Sequence, residues 1–169
     1  MGSCNLKTLI LEFIIKIIIL EFCKIKKYHS SYFEDCISVF KTNIPTFFDD
    51  SEQKLFSNYL LKKDIKYYVL FHENNQIVGS GGYAYNDNIK TVDLTWGMID
   101  KKYHRNRFGH QLTEYRLQKI RTKYPKSDIL LNTSQHTFKF YEKFGFQVKK
   151  ITNNGYGKGL HKYDMIKIL

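Results

Sequence analysis

Proline is almost absent from this chain, since only Pro45 and Pro125 occur among its 169 residues. No proline-rich linker divides the sequence, and its length is about that of one domain. Apart from LILEF and IILEF near the N-terminus, no internal repeat occurs. The contents of 43% hydrophobic and 16% aromatic residues favour a globular protein over a disordered one.

Cysteine is also scarce. Cys4, Cys23 and Cys36 are too few and too scattered for a disulfide framework. None of them forms a Cys-x-x-Cys pair, and no histidine follows at zinc-finger spacing. We therefore predict no metal site, and a reducing, cytoplasmic location is the default expectation.

Acidic residues are outnumbered, with 16 Asp and Glu against 27 Lys and Arg and a formal net charge of +11. This charge predicts attraction for nucleic acid, anionic membranes or phosphorylated cofactors, although a solvated lysine-rich surface explains it equally well. The sequence lacks both an RNP-type stacking motif and a single basic recognition helix. Nucleic acid is therefore not an expected partner.

The most hydrophobic segment, LILEFIIKIIILEF at residues 9–22, is too short for a typical membrane span. Glu12, Lys16 and Glu21 also interrupt it. No small-residue cleavage site follows, and the myristoylation-like start MGSCNL has Leu6 where serine or threonine is required. The pattern favours a soluble extension over residues 1–19, followed by a single domain over residues 20–169.

Hydrophobic periodicity and turn residues predict the elements of this domain. Helices are predicted over 30–43 and 50–63, the second with Leu55, Tyr59 and Leu60 facing inward. A long third helix follows HRNRFG and ends before Pro125, and a fourth spans 134–145, with Ser134 as its N-cap and Gly145 just beyond its end. The predicted strands comprise the CKIKKYH segment, 66–73, 76–86, 90–99, 128–133, 146–151 and 161–169. This order, β-α-α-β-β-β-α-β-α-β-β, predicts an α+β domain with helices packed on a mixed sheet.

The stretch WGMIDKKYHRNRFGHQLTEYRL, followed by FYEKFGF, resembles the GCN5-related N-acetyltransferase (GNAT) superfamily over residues 20–169. Its signature is a strand, then Q/R-x-x-G-x-G/A, then a helix, and later a Y-E-K-x-G-F-like motif. Gly109 matches the last glycine, Arg107 stands at the earlier one, and His104 stands at the Q/R position. The resemblance implies a mixed, mostly antiparallel central sheet flanked by about four helices in three layers.

By this resemblance the cofactor is acetyl-CoA, as acetyl donor. The backbone of Met98 and Ile99 is expected to pair with the pantetheine arm, and Ser134 replaces an asparagine that often contacts CoA. The pyrophosphate is expected on the loop residues His104, Arg105, Asn106, Arg107, Phe108, Gly109 and His110. A helix N-terminus supplies unpaired N–H groups to such an anion, and the conformation of the loop matters more than its side chains.

The resemblance also makes Tyr141 the general acid that protonates the departing CoA sulfur, with a backbone N–H of Met98–Ile99 facing the developing oxyanion. The general base stays open among Glu73, Asp93 and His136. Tyr156, His161 and Tyr163 are acceptor-side candidates, although NNGYGKGLHKYDM is equally readable as a hairpin connection.

The leading hypothesis is an acetyl-CoA-dependent N-acetyltransferase acting on a primary amine of a small molecule or a peptide. The alternatives are a non-catalytic CoA-binding module and, third, a basic nucleic-acid-binding protein. The acceptor and a homodimeric state stay open. The positive net charge is a poor match for cationic acceptors, but the local charge of the pocket decides this point.

Overall fold

The computed structural model describes residues 24–169, so the predicted N-terminal extension, Cys4 and Cys23 lie outside the described residues. The strands are β1 (Lys24–Lys27), β2 (Lys66–Phe71), β3 (Ile77–Asn86), β4 (Thr91–Ile99), β5 (Ile129–Ser134), β6 (Gln147–Gly157) and β7 (Leu160–Lys167). The α-helices are α1 (Phe33–Lys41), α2 (Glu52–Leu60), α3 (Phe108–Lys123) and α4 (Phe138–Glu142). This order confirms the predicted α+β class. No helix within residues 24–169 is both long and apolar enough to cross a membrane.

The strands form one mixed sheet in the order β1-β2-β3-β4-β5-β7-β6. Every neighbouring pair is antiparallel except β4 and β5, which run parallel. The parallel pairing covers three positions only and ends where Leu94 lies opposite Leu131. Beyond that point the carboxyl ends of β4 and β5 are not paired with each other, and the sheet opens between them.

A β-bulge in β4 lies where the two strands part. Ser80 of β3 is opposite Met98, whereas Gly82 is opposite Thr95. The two residues Trp96 and Gly97 therefore share the single position opposite Gly81. A bulge of this kind bends its strand and increases the local twist. Trp96 has φ of +44°, which places its side chain on the α1–α2 face of the sheet.

Each face of the sheet carries its own core. The face under α1 and α2 is largely aromatic, and the fully buried Phe56 stacks on Phe40 at 5.3 Å between ring centroids and lies 5.1 Å from Trp96. The face under α3 and α4 is largely aliphatic near β4 and β5, with Leu117 and Ile120 of α3 fully buried. The two cores make the three layers that the sequence predicts.

Three local predictions are wrong. Leu55 is 61% exposed, and its neighbour Phe56 occupies the core position. The fourth helix begins at Phe138, because Ser134 is the last residue of β5 and pairs with Lys162 of β7. The glycine-rich stretch 153–157 belongs to β6, so the hairpin turn to β7 lies at residues 158–159.

Replacing Phe56 with alanine is expected to lower the free energy of unfolding by about 3–5 kcal/mol, since it removes a fully buried ring from the aromatic core. The control is Leu55→Ala on the same helix, expected to change stability by less than about 0.5 kcal/mol because this side chain is exposed. Urea unfolding of both variants measures the difference. Equal losses would contradict the assignment of Phe56 to the core.

Candidate functional site

The opening between β4 and β5 exposes the backbone of Ile99. The N–H of Asp100 donates to the carbonyl of Val78 at 2.8 Å, so the pair Gly79–Ile99 is not hydrogen-bonded to itself. The N–H and C=O of Ile99 consequently face away from β3 and toward the opening. Those of Met98 face β3 and are used within the sheet. Ile99 is therefore the member of the predicted pair whose backbone reaches the opening.

Two side chains fix the carbonyl of Ile99. Asn43 donates from Nδ2 at 2.9 Å, and His104 lies with Nε2 at 2.9 Å from the same oxygen. Because a carbonyl only accepts, His104 carries its proton on Nε2. Asn43 is buried and also donates to the carbonyl of Val39, which ties the end of α1 to the end of β4. The Ile99 N–H has no acceptor within residues 24–169 and is available as a donor at this point of the opening.

The loop after β4 is anchored before it reaches α3. Asp100 accepts at Oδ1 from the N–H of Lys102 at 3.1 Å and so caps a short 3₁₀ turn. The hydroxyl of Tyr103 donates to Oε1 of Gln76 at 2.9 Å. The ring of His72 contacts Tyr103, at a centroid distance of 5.4 Å. These contacts position the loop against the ends of β2 and β3.

Next, the chain forms a concave backbone segment. Arg105 and Arg107 adopt left-handed φ angles of +67° and +61°. Helix α3 begins at Phe108 with neither a side-chain cap nor an acidic residue in its first turn. The N–H groups of residues 105–110 find no acceptor among residues 24–169, and the first amide to do so is that of Gln111, which donates to Arg107 at 3.0 Å. We call residues 105–110 the amide cradle.

The cradle is suited to an anion. Unpaired N–H groups at a helix N-terminus carry partial positive charge, and alternating backbone conformations direct several of them to one point. Arg105 and Arg107 are exposed beside them, with Lys101 and Lys102 a few residues before. The residues expected to hold a pyrophosphate thus form a site with the required donors and charge.

Gly109 is the point where three elements meet. A Cβ at this position would lie 3.6 Å from the Phe140 ring and 3.7 Å from the Ile99 side chain, which are ordinary contacts. Its φ is not left-handed, so alanine would also fit. The start of α3, the end of β4 and helix α4 therefore converge at the cradle.

Tyr141 follows Phe140 on α4 and lies beside this junction. Its half-buried ring packs edge-on against Phe140 and Phe146, with centroids at 5.0 and 5.9 Å. The hydroxyls of Tyr59 and Tyr67 are hydrogen-bonded, whereas that of Tyr141 has no partner among the described residues. Its phenol is therefore free to donate to a ligand.

Ser134 and His136 lie where the chain leaves β5. Ser134 is buried, and its Oγ accepts from the N–H of His136 at 3.4 Å. The ring of Phe47, from the α1–α2 loop, contacts both His104, at a centroid distance of 5.2 Å, and His136, at 6.0 Å. Phe47 thus spans the opening from the β4 side to the β5 side.

A second group of polar residues surrounds Tyr156 of β6. Burial raises the pKa of Tyr156, and the charges of Glu52, Asp164 and Tyr141 raise it further. Burial likewise raises the pKa of Glu52, while the hydrogen bond that Oε2 accepts from the N–H of Asp49 at 2.9 Å lowers it. Residues from α2, α4 and β7 therefore lie within electrostatic reach of Tyr156 on β6.

The other acceptor-side candidates have structural contacts. His161 accepts at Nδ1 from the N–H of Asn154 at 3.0 Å, and its own N–H donates to Gln135. Tyr163 stacks on Phe138 with centroids 4.7 Å apart. Of the three candidates, Tyr156 is the one that lies beside Tyr141.

The three candidate bases lie in different places. His136 is at the opening. Asp93 lies on β4 where it is still paired with β5, and burial raises its pKa. Glu73 is in the turn between β2 and β3, on the far side of β3 from the opening. Among residues 24–169, no three His, Cys, Asp or Glu side chains are grouped to hold a metal ion.

Sequence reasoning missed Asn43 and the pair Glu52 and Asp164. The position of Asn43 is a sequence signal for this contact, because an amide side chain just beyond a helix often donates to one of the last helical carbonyls. Glu52 and Asp164 are 112 positions apart in the chain, and no local pattern joins them.

Comparison with known proteins matches residues 36–169 to the family model described as an acetyltransferase (GNAT) domain. The fold is similar to the ribosomal-protein-S18-alanine N-acetyltransferase from Escherichia coli, with a TM-score of 0.71, 14% identity, and coverage of 86% of this chain and 93% of that one. It is also similar to Ard1 from Thermoplasma volcanium, with a TM-score of 0.71, 17% identity, and coverage of 87% and 97%. An aminoglycoside 6'-N-acetyltransferase complexed with coenzyme A has a TM-score of 0.65, 16% identity, and coverage of 86% and 96%. Among curated protein sequences, none matches this chain.

The left-handed conformation of Arg107 yields a stability prediction. Arg107→Gly is expected to be more stable than Arg107→Ala by about 1 kcal/mol, because only glycine adopts this φ without a Cβ clash. Both substitutions remove the same charge, so the difference in stability between the two variants reports on the backbone conformation at residue 107. Urea unfolding of the two variants measures it, and an alanine variant as stable as the glycine variant would show that the loop conformation is different.

Proposed function

The chain belongs to the GNAT family of acetyltransferases, and from this premise we propose that it transfers an acetyl group from acetyl-CoA to a primary amine by direct attack of the amine. The observation that carries the proposal is the amide cradle at the start of α3, which lies next to the free N–H of Ile99 and to Tyr141. The anionic part of the donor and its reacting carbonyl would therefore each find hydrogen-bond donors at this junction.

Acetyl-CoA supplies a thioester whose acyl carbon accepts the amine. The cradle amides, with Arg105 and Arg107, would hold its pyrophosphate by charge-assisted hydrogen bonds. Ser134 is the last residue of β5, is buried, and lies across the opening from the cradle. Arg107 already adopts the left-handed conformation for which the family uses glycine, so the substitution leaves the cradle intact.

The chemistry requires a donor for the developing oxyanion and an acid for the leaving sulfur. We assign the first role to the N–H of Ile99, which faces the opening and is held in place by Asn43 and His104 at its carbonyl. We assign the second to Tyr141. Its phenolic O–H donates a proton to the departing thiolate.

The acceptor is placed on the side of Tyr156. There, the charges of Glu52 and Asp164 act on Tyr156 and raise its pKa. The Asp164 carboxylate forms an ion pair with Nζ of Lys162 at 3.1 Å, so the negative charge around Tyr156 is partly neutralised. An amine that is protonated in water meets carboxylates here, and the net charge of +11 does not exclude a cationic acceptor.

The cradle predicts a charge-dependent affinity for acetyl-CoA. Arg105→Glu is expected to weaken binding at least about tenfold, and the loss is expected to shrink at high salt because exposed charges are screened. Arg121→Glu is the control, since Arg121 is an exposed arginine in the last turn of α3, whereas Arg105 precedes the start of that helix. Calorimetric titration measures both. Wild-type protein without detectable binding would contradict the proposal.

Tyr141→Phe is expected to lower kcat by about 10²-fold or more, because general acid catalysis contributes on this scale. The dissociation constant for CoA is expected to change by less than about threefold, since the ring and its packing are kept. Tyr85→Phe serves as the control, because Tyr85 stacks on Tyr124 far from the opening. Turnover with an amine found by screening, together with calorimetry, gives both numbers.

Unchanged turnover in Tyr141→Phe would remove Tyr141 from the mechanism. Tight CoA binding by the wild-type protein without acetylation of any amine in the screen would instead identify a non-catalytic CoA-binding module.

A further inference from the structure

Arg116 is a buried cation without an anionic partner. It lies on the inner face of α3 and is 1% exposed. Its Nε donates to the carbonyl of Leu112 at 3.2 Å, and Nη2 donates to Oγ1 of Thr113 at 3.2 Å. Nη1 is 3.5 Å from the carbonyl of Gly82. None of the ion pairs among residues 24–169 includes it, so neutral dipoles alone surround the guanidinium.

Two glycines make room for this group. A Cβ on Gly81 would lie 2.9 Å from Nη1, and a Cβ on Gly97 would lie 2.8 Å from Nη1 and 2.9 Å from Nη2. All three distances are shorter than an ordinary contact, so side chains at these positions would displace the guanidinium. The bulged part of β4 and its partner in β3 are therefore shaped around Arg116.

Stability does not explain an arginine here. Leu112, Arg116 and Ile120 share the inner stripe of α3, and the other two are fully buried apolar residues. Burial of a charge without a counter-charge is costly, and apolar replacements of buried ions are often neutral or stabilising. Exceptions of this kind to the usual pattern concentrate at functional sites.

The charge lies directly under the reactive part of β4. Gly97 touches the guanidinium, and Ile99, two residues later, presents its N–H to the opening. The electrostatic field of Arg116 also reaches the other face of the sheet. Burial is the main reason for the raised pKa of Tyr67 on the other face, and the charge of Arg116 is one of the influences that lower it.

We propose that Arg116 is a positioning residue for acetyl transfer, whose guanidinium supports the β4 bulge from beneath and whose charge strengthens the polarisation of a thioester carbonyl at the Ile99 N–H. This inference rests on the proposed function. Arg116 acts on the electron distribution of the bound acetyl-CoA and does not change the affinity of the cradle for acetyl-CoA. Because arginine stays protonated at any working pH, the charge is permanent.

The test is infrared difference spectroscopy of acetyl-CoA carrying ¹³C at the acetyl carbonyl, bound to the full-length protein. In the wild-type protein we expect the carbonyl band at a lower frequency than in water. Arg116→Gln removes the charge but keeps donors, and Arg116→Lys keeps the charge but loses the planar fork. We expect the band shift to fall by about half or more in the glutamine variant and to be largely retained in the lysine variant.

Calorimetric titration of the same proteins separates binding from polarisation. The dissociation constant for acetyl-CoA is expected to stay within about threefold of the wild-type value in both variants. Arg121→Gln is the matched control, because it removes an exposed arginine from the same helix, and it is expected to change neither readout. Arg116→Met, an unbranched apolar replacement, is the second neutral variant if the glutamine variant does not fold.

A carbonyl band that is the same in the wild-type protein and in a folded neutral variant, with unchanged binding, overturns the inference and leaves the proposed function standing. A large loss of thermal stability in the methionine variant without a band change assigns Arg116 to structure alone. Failure of the wild-type protein to bind acetyl-CoA overturns both.

Discussion

The separation of β4 from β5 after three paired positions is the constraint on which the site depends. Two parallel strands end at the same edge of a sheet, so the segments that follow them emerge side by side. The cradle follows β4 and α4 follows β5, and they meet although 27 residues of chain, 111–137, separate them. The bulge at Trp96 and Gly97 bends β4 away from its neighbour, which leaves backbone groups of the strand for a ligand.

The bulge is held from both faces of the sheet. On one face the ring of Trp96 is packed into the aromatic core of α1 and α2, and the hydroxyl of Tyr67 donates to its carbonyl at 3.0 Å. On the other face the guanidinium of Arg116 fills the space beside Gly97. At the end of the strand, Asn43 and His104 fix the carbonyl of Ile99. A peptide group fixed in this way is preorganised, which is what electrostatic stabilisation of a reacting carbonyl requires.

Local patterns predicted the parts of this arrangement that are local. Periodicity and asparagine-containing turns predicted the order of elements, and HRNRFG predicted the start of α3. Ser134 was wrongly predicted to cap a helix, because its pairing with Lys162 in β7 keeps it in a strand and sequence spacing carries no information about that pairing. Arg116 shows the same limit. Glycines within a strand, as in β3, are consistent with either a bulge or a close neighbour, and the identity of that neighbour depends on how α3 crosses the sheet.

The charges on either side of the opening, more than the total charge of the chain, determine which ligand charge is favoured there. The cradle end carries Arg105 and Arg107 and no acidic residue in the first turn of α3, whereas the end around Tyr156 carries Glu52 and Asp164. Over distances of a few ångströms, partly buried charges act with little screening, while exposed lysines beyond about 10 Å contribute little at 0.1 M salt. The proposed anionic donor and the proposed amine acceptor are therefore favoured by different groups of charges, the first at the cradle and the second around Tyr156. The excess of lysine elsewhere on the surface does not determine the charge of the acceptor. The residues proposed to surround the amine are not the lysines that make the chain basic.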